Sequence, residues 1–351
     1  MDSLSFLEAL LAISSPSGGE DAVACYLVEQ MAALGFRSCR DGAGNAVGRI
    51  GDAQARRKIV LLGHMDTVSG HVPLRREGGR LYGRGAVDAK GPLAAFVLAA
   101  AQAAASVEDL ELIVIGAVEE ESRGRGAHYV AETMAPPTWT IIGEPSGWQG
   151  ITLGYKGTLV VEYHLARARG HTASAWAAPA QDAVAFWNRL LAHAEEVNGG
   201  ARGRFDTLAP ALRAIHSFGD GLQEGVEMTL ALRLPPGCDV EGLKDRLDSW
   251  RGEATLTFPY YEPAFRADKH NPLVRSLLRA IRAEGGRPRF KLKTGTADMN
   301  VVGPAWGCPI VAYGPGDSHL DHTPDEHIEI EEFLRGVGVL SRALQILGSR
   351  K

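Results

Sequence analysis

The chain has 351 residues, of which 45% are hydrophobic and 23% are charged, as in an ordinary globular protein with room for two domains. Its formal net charge of -5 argues against a nucleic-acid-binding protein, which usually carries a basic face. No segment approaches the roughly 18 uninterrupted apolar residues of a membrane span, so we expect none.

The four cysteines are scattered and include no Cys-x-x-Cys pair, which favours buried thiols in a reducing compartment over a disulfide framework. The first residues, Met1 to Ser5, lack the basic segment that opens a signal peptide. We therefore expect a cytoplasmic protein in which any metal ion is held by His, Asp and Glu.

Roughly the first 150 residues alternate between helical and strand patterns. The predicted elements are a helix over 20–34, two short strands within 37–50, a strand at 59–63, a helix over 92–105, and strands at 110–117 and 139–142. Strands that alternate with helices predict an α/β sheet whose functional groups lie at the carboxyl ends of its strands.

The pattern changes in the middle of the chain. The predicted elements there are a strand at 158–165, a helix over 181–197, strands at 207–217 and 227–234, a helix over 240–250 and a strand at 254–261. This β-α-β-β-α-β order is that of the ferredoxin-like split βαβ unit. We predict that residues 154–266 form a domain inserted into an α/β domain made of residues 1–153 and 267–351.

The most informative motif is Gly63-His64-Met65-Asp66, which directly follows the apolar run 59–62. In an extended strand the side chains of His64 and Asp66 point the same way, because successive side chains alternate between the two faces. An imidazole beside a carboxylate at a strand end is a natural beginning for a metal site, although the pair alone occurs by chance.

Four further motifs place acidic or imidazole groups just after an apolar strand or at a helix entrance. They are Asp88 within 83–91, the triplet Glu119-Glu120-Glu121, Glu144 within 143–146, and His319 and His322 within 314–326. A lone Asp before a helix is more often an N-cap. A Glu triplet is commonly a solvated charge run, but less so at the end of a strand as apolar as 112–117. Together, however, the motifs form an oxygen and nitrogen ligand set that suits zinc, and two ions sharing a carboxylate suit hydrolysis.

These motifs resemble those of the dinuclear zinc aminoacylase-like metallohydrolases, which include acetylornithine deacetylase, succinyl-diaminopimelate desuccinylase and glutamate carboxypeptidases. The resemblance covers nearly the whole chain, because all five motifs occur in the order of that family. Within the family the chain is most similar to the amino-group carrier protein–lysine/ornithine hydrolases, through segments 83–92, 293–300 and 314–324. The resemblance implies a zinc-peptidase-like catalytic α/β domain with an inserted ferredoxin-like dimerisation (lid) domain.

The resemblance also implies which residues bind metal. His64 and Glu144 correspond to the terminal ligands of one zinc ion, and Glu121 and His322 correspond to those of the other. Asp88 corresponds to the bridging ligand. Each subunit is therefore expected to hold two Zn²⁺ ions, with Co²⁺ as a substitute.

Three further roles follow from the same resemblance. Asp66 corresponds to the residue that orients His64, Glu120 corresponds to the general base, and the peptide bond after Asp88 is expected to be cis. The register within the Glu triplet stays open by one residue: if Glu120 binds metal, then Glu119 is the base. Of the two late histidines, His322 fits the His-x-Pro-Asp-Glu pattern of the relatives, which leaves His319 as a loop residue.

The inserted domain contributes the segment Arg169–Ser174, which resembles a Gly-His segment of the family. There the histidine, His171 in this chain, reaches the active site of the partner subunit and stabilises the oxyanion, which implies a homodimer through the inserted domain. Arg233 corresponds to the arginine that holds a substrate α-carboxylate, although without the family it reads as an outward strand arginine. Gly295 and Thr296 are predicted to line the same pocket.

The implied activity is metal-dependent hydrolysis of a linear amide bond in lysine and arginine biosynthesis. The expected substrate is an acidic amino-group carrier protein whose C-terminal Glu carries L-lysine or L-ornithine on its γ-carboxyl group. Two alternatives use the same metals on small substrates, namely an N-acyl amino-acid deacylase and a dipeptidase. A third alternative is a non-catalytic binding protein that keeps the fold.

Overall fold

The computed structural model describes residues 2–170 and 178–349. The chain divides into two compact units, one made of Met1–Gly154, Arg266–Leu292 and Ala297–Lys351, and one made of Tyr155–Phe265 and Lys293–Thr296. Among the helices in the described ranges, none is both long and apolar enough to cross a membrane.

The helices and strands follow the alternation predicted from the sequence. Up to residue 155 they are α1 (Ser3–Ala12), α2 (Asp21–Ala33), β1 (Arg37–Arg40), β2 (Ala46–Gly51), β3 (Arg57–His64), β4 (Arg75–Glu77), β5 (Arg80–Tyr82), α3 (Lys90–Ala104), β6 (Leu110–Ala117), α4 (Arg125–Thr133), β7 (Trp139–Gly143) and β8 (Gly150–Tyr155). The second unit contains β9 (Gly157–Ala168), α5 (Pro179–Asn198), β10 (Ala209–Gly219), β11 (Gln223–Leu234), α6 (Val240–Trp250) and β12 (Thr255–Glu262). The remaining elements are β13 (Phe265–Arg266), α7 (Pro272–Ala283), β14 (Arg289–Lys293), α8 (Asp298–Trp306), β15 (Ile310–Ala312), β16 (His327–Glu329) and α9 (Ile330–Gly348).

The large sheet has the strand order β1-β2-β6-β3-β7-β15-β8-β13 in the described part of the chain, and β14 pairs with β8. Its centre is parallel, because β6, β3, β7 and β15 run in the same direction. Every residue of β6 and β7 is buried, which explains their continuous apolar runs: a parallel strand covered on both faces has no polar side. The carboxyl ends of these four strands therefore meet at one edge of the sheet.

Two glycines allow strands β3 and β7 to pack closely just before that edge. Gly63 and Gly143 lie opposite each other in the parallel register. A Cβ atom on Gly143 would lie 3.1 Å from the Cα of Gly63 and 2.9 Å from the ring of Phe96. Because such distances are too short for a side chain, glycine at position 143 keeps the residues after both strands close together.

The second unit is a four-stranded antiparallel sheet with the order β10-β11-β9-β12 and the β-α-β-β-α-β connection expected from the sequence. Strand β9 alternates between buried and exposed residues, as expected for a sheet with one covered face. The covered face packs against α5 and α6, whose core residues include Phe186, Leu190 and Leu247. Strand β10 lies at the edge of this sheet, and nearly all of its residues are exposed.

Candidate metal centre

The predicted metal ligands of the first unit follow the parallel strands of the large sheet or precede a helix beside it. His64 is the last residue of β3, Glu144 follows β7, and Glu121 lies four residues after β6. Asp88 lies two residues before the start of α3. Because parallel strands end at the same edge, residues from distant parts of the sequence meet there.

Asp88 contacts a histidine on each side. Its Oδ1 atom lies 3.2 Å from His64 Nε2, and its Oδ2 atom lies 3.0 Å from His322 Nε2. The same nitrogen of His322 lies 2.7 Å from Glu121 Oε1. Asp88 does not cap α3, because Ala89 occupies the N-cap position. Its carboxylate is therefore placed between two imidazoles, as a bridging ligand would be.

His64, Asp88 and Glu121, which are one predicted terminal ligand of each ion and the predicted bridge, have the donor chemistry and the spacing of a metal site. Each offers one ligand atom, and these atoms all lie within 4.8 Å of one another. Imidazole nitrogen with carboxylate oxygen is a donor set that suits zinc and related divalent cations. The side chain of Glu144, 7% exposed, contributes a further buried carboxylate whose charge acts on Glu120.

The carboxylate of Asp66 anchors the loop that carries the Glu triplet. Its two oxygens accept hydrogen bonds from the backbone N–H groups of Glu120 and Glu121, each at 3.1 Å, and one also accepts from the hydroxyl of Ser17. Asp66 also contacts His64, whose Nδ1 lies 3.0 Å from the Asp66 carbonyl oxygen and 3.4 Å from its carboxylate. The predicted orienting residue thus contacts both a candidate ligand and the candidate base loop.

The three members of the Glu triplet have different partners. The carboxylate of Glu119 accepts a hydrogen bond from Arg125 at 2.7 Å, and that of Glu121 meets His322. Glu120 lies 4.0 Å from His64 Nε2 and forms no closer ion pair in the described residues. This arrangement favours the register in which Glu121 binds metal and Glu120 is the base.

Burial raises the pKa of Glu120 well above its usual range, and the nearby charges of Glu144 and Asp298 raise it further. Burial also raises the pKa of Glu121, although the hydrogen bond with His322 opposes the shift. Such shifts reflect carboxylates crowded together away from water, where each resists a second negative charge. A cation at this place would relieve the repulsion.

Asp88 and the two imidazoles instead favour their charged forms, so the pKa of Asp88 is lowered and the pKa of each histidine is raised. Burial alone would disfavour ionised Asp88, but the hydrogen bonds from His322 and His64 outweigh burial and lower its pKa. Burial also disfavours the charged form of His64 and would lower its pKa. The contacts of His64 with Asp66 and Asp88 outweigh burial and hold the pKa well above its usual range. Hydrogen bonds with Asp88 and Glu121 raise the pKa of His322 to about 10. Each of these shifts favours the charged form, because the carboxylate and the imidazoles stabilise one another.

Two backbone features occur in the same loops. The peptide bond between Asp88 and Ala89 is cis, as expected from the family resemblance. Glu119 and His322 adopt positive φ angles of 59° and 63°, which few residues other than glycine do. His319, the rejected alternative, is 92% exposed and contacts Asp317.

The predicted substrate-binding residues belong to the second unit. The guanidinium of Arg233, on β11, donates a hydrogen bond to the hydroxyl of Thr296. Gly295 is the neighbour of Thr296 in the same segment, 293–296. The side chain of Arg233 therefore does not simply point outward into solvent. His171 lies outside the described residues.

Three buried carboxylates near these loops had no role in the sequence analysis: Glu20, Asp298 and Glu326. Glu20 accepts a hydrogen bond from the backbone N–H of Glu119 at 3.1 Å. Asp298 is 3% exposed, and its charge acts on Glu120. Glu326 ends the late motif at 314–326. Its place in that motif was the sign in the sequence that it belongs to the site.

The chain resembles known proteins over nearly its whole length. Residues 60–346 match the family described as "Peptidase family M20/M25/M40". The chain is 44% identical over 95% of its length to the "[LysW]-lysine hydrolase" of Deinococcus radiodurans, of which it covers 94%. It is 37% identical over 99% of its length to the "Putative [LysW]-lysine/[LysW]-ornithine hydrolase" of Pyrococcus furiosus, of which it covers 98%.

A solved structure shows the same fold. The M20 family metallo-carboxypeptidase Sso-CP2 from Sulfolobus solfataricus superposes with a TM-score of 0.82 at 19% identity, covering 99% of each chain. The family match extends over most of the chain, and the relatives align along nearly their whole lengths. The chain therefore belongs to peptidase family M20/M25/M40 and is a hydrolase that acts on amide bonds.

Proposed function

We propose that this protein releases L-lysine from the C-terminal Glu of an acidic amino-group carrier protein, with L-ornithine as a second product, in lysine and arginine biosynthesis in the cytoplasm. The observation that carries the proposal is the 44% identity over 95% of the chain to a protein named "[LysW]-lysine hydrolase". The candidate metal centre supports it, because cleavage of an amide needs a strong nucleophile and charge stabilisation.

The proposed cofactor is a pair of Zn²⁺ ions, for which Co²⁺ can substitute. His64 and Glu144 would hold one ion, Glu121 and His322 the other, and Asp88 would bridge them. The two contacts of Asp88 with His64 and His322 support this assignment. When bound, the ions supply positive charge next to the scissile carbonyl group and a water of lowered pKa.

Glu120 is the proposed general base. Its carboxylate takes a proton from the attacking water and later gives the proton to the leaving amine, as one group does in both halves of an amide hydrolysis. Its carboxylate lies 4.0 Å from His64 Nε2 and forms no closer ion pair in the described residues, which suits a group that must transfer a proton. Asp66 holds the backbone N–H of Glu120 and thereby orients the base.

The second unit is proposed to bind the substrate and to form the dimer. Arg233, Gly295 and Thr296 are the proposed ligands of the substrate α-carboxylate, and the contact between Arg233 and Thr296 supports a shared pocket. A planar guanidinium matches a carboxylate with two parallel hydrogen bonds. His171 of a partner subunit is proposed to stabilise the oxyanion, and this unit corresponds to the predicted lid domain, residues 154–266.

The exposed edge of β10 supports a homodimer. Its side chains Leu212, Ile215 and Phe218 are 39%, 45% and 36% exposed, although they are apolar. Among the described strands, β10 pairs with β11 alone, so its outer edge keeps unpaired backbone groups. Two copies related by a two-fold axis would pair these edges and cover the apolar side chains.

The dimer is tested by replacing Ile215 with Lys and measuring the mass by light scattering after gel filtration. We expect a dimer for the wild-type protein and a monomer for Ile215→Lys. The matched control is Leu222→Lys, because Leu222 is 80% exposed in the turn between β10 and β11 and should leave the dimer intact. A wild-type monomer would contradict the proposed dimer.

The activity is tested with the purified carrier protein bearing lysine on its C-terminal Glu. We expect release of free lysine that stops when the metal is chelated and resumes when Zn²⁺ or Co²⁺ is restored. The same preparation is assayed with N-acetylornithine and with dipeptides. Turnover of these small substrates, without turnover of the carrier adduct, would replace the proposal with a deacylase or dipeptidase.

A further inference from the structure

We infer that Glu326, together with Arg84, is a positioning residue that fixes the main chain of Asp88 and thereby sets the affinity of the metal centre. This inference rests on the proposed metal ligands. It assigns a role to two residues outside the proposed ligand set and the proposed substrate pocket.

Glu326 is fully buried and uses both oxygens of its carboxylate. Oε1 accepts hydrogen bonds from the backbone N–H groups of Val87 at 3.0 Å and Asp88 at 3.1 Å. Oε2 accepts a hydrogen bond from Arg84 Nη1 at 2.8 Å. A carboxylate that accepts from two consecutive N–H groups fixes the orientation of the peptide between them.

The strand pairing explains why Glu326 reaches this loop. In the antiparallel pair of β5 and β16, His327 lies opposite Tyr82. The next pair outward joins Gly83 and Glu326, and the N–H of Gly83 donates to the carbonyl oxygen of Glu326 at 3.3 Å. The chain thus leaves β5 beside Glu326 and continues directly into the segment that ends at Asp88.

Arg84 fixes the other side of the carboxylate. Its side chain is 15% exposed, and its Nε donates to the carbonyl oxygen of Gly70 at 3.1 Å. Arg84 therefore ties Glu326 to the loop that follows the strand of His64. A charged hydrogen-bonded pair of this kind is costly to break from one side, because the remaining partner stays buried and unpaired.

The consequence concerns both proposed ions. Within residues 2–170 and 178–349, Asp88 is the carboxylate whose two oxygens face the two candidate histidine ligands, His64 and His322. A shift of its main chain would misplace both oxygens together. In metal sites, groups that orient a ligand typically change metal affinity by about 10–100-fold when they are removed.

The test is the variant Glu326→Gln. The amide has a single acceptor oxygen. It can accept either from the N–H groups of Val87 and Asp88 or from Arg84, and its NH₂ group then faces the donor that has lost its acceptor. We expect Co²⁺ titrations, followed by absorption and by calorimetry, to show dissociation constants about 10–100-fold higher than in the wild-type protein. At saturating Co²⁺ we expect kcat to recover and KM for the amide substrate to stay unchanged.

The matched control is Glu111→Gln. Glu111 is also a buried carboxylate of the first unit, paired with Arg37, Arg49 and Lys58, but it makes no contact with a predicted ligand. We expect this variant to lose stability and to bind Co²⁺ like the wild-type protein. If both variants weaken Co²⁺ binding equally, Glu326 acts only through general stability and the inference fails.

A second variant covers the case in which Glu326→Gln does not fold. Arg84→Lys keeps the positive charge but loses the planar fork that joins Gly70 and Glu326. We expect weaker Co²⁺ binding in the same direction. Wild-type Co²⁺ affinity in a folded Glu326→Gln or Arg84→Lys protein overturns the inference, whereas a wild-type protein that binds no Co²⁺ overturns the proposed metal centre itself.

Discussion

Strand β6 has a buried carboxylate near its start and partly buried carboxylates beyond its end, and the two ends use different partners. At its start, Glu111 is 4% exposed and meets Arg37, Arg49 and Lys58 at 3.0, 3.2 and 3.3 Å. These three cations are each between about one third and just over one half exposed, so they bring charge from the surface to a buried group. The negative charge of Glu111 is balanced by the chain itself.

Beyond the other end of β6, Glu119 meets Arg125, but Glu120 and Glu121 have no such cation among the described residues. Glu120 and Glu121 are 14% and 11% exposed, and their ion pairs within the described chain are with His64 and His322. A neutral imidazole balances no charge, and a protonated one balances a single carboxylate. A buried acid therefore does not by itself indicate a metal site. A shielded acid that has no matching arginine or lysine among the described residues does.

The largest expected effect at the metal end of β6 comes from removing the metal. We expect chelation to abolish amide hydrolysis and to lower the melting temperature, because an ion that binds only the folded state stabilises it by about 2.7 kcal/mol at 100 times its dissociation constant. Activity assays and thermal unfolding with and without Zn²⁺ measure both effects. An unchanged melting temperature and full activity after exhaustive chelation would contradict the proposed centre.

The second test compares neighbouring carboxylates. We expect Glu120→Gln to lower kcat by about 10²–10⁴-fold with its metal content retained, because it removes the group that transfers the proton. Glu119→Gln is the control, since the carboxylate of Glu119 is already engaged by Arg125, and it should change kcat only slightly. The reverse result would indicate that Glu119 is the base and that Glu120 binds metal.

The third test acts at the other end of β6. We expect Glu111→Gln to lower the free energy of unfolding by about 1–3 kcal/mol, because it replaces charged hydrogen bonds in a buried place. Urea denaturation measures this loss. The stabilisation by added Zn²⁺ should remain the same as in the wild-type protein. A loss of that increment would show that the two ends of β6 are coupled.

The smallest expected effect is a pH dependence of the metal-free protein, because the side chain of His322 is 47% exposed and solvent weakens its ion pairs. The pKa of His322 is raised to about 10 by its hydrogen bonds with Asp88 and Glu121, against 6.5 for an ordinary histidine. A raised pKa adds stability that is complete below pH 6.5 and is lost as the pH rises through about 10. We therefore expect the chelated protein to lose stability across that range, as measured by urea denaturation.

Two variants separate this effect from other titrations. His322→Gln should flatten the pH dependence of the stability of the metal-free protein. His319→Gln should leave that dependence unchanged, because His319 is 92% exposed and pairs with Asp317. Metal affinity should change in the opposite sense and rise with pH, since metal binding displaces protons from the ligands. Equal slopes for the two variants would contradict this account.

Much of the fold was predictable from local patterns. The apolar runs at β3, β6 and β7 predicted buried parallel strands, and the spacing over 240–250 predicted α6 with the bounds that the structure has. The sequence analysis assigned no helix to residues 298–306, where α8 contains Pro304 in its interior. Proline is normally read as the end of a helix, so the local signal opposed the observed structure.

Local patterns also failed for short elements that depend on neighbours. Strands β4, β5 and β16 have three residues each and carry no clear alternation, yet they pair with one another in a separate small sheet. That pairing places Glu326 beside Gly83. The role inferred for Glu326 therefore had no signal in the sequence beyond its place in the late motif.

The sequence by itself determined the order of the strands and helices, the kinds of ligand present and the family to which they point. The sequence also indicated which side chains of a strand share a face, because the backbone of a strand fixes a two-residue alternation of side chains. Only the tertiary structure decided which groups meet: His322 reaches Glu121 across 201 positions of the chain. Such contacts depend on where parallel strands end and on how their loops close, and no local pattern of residues specifies either.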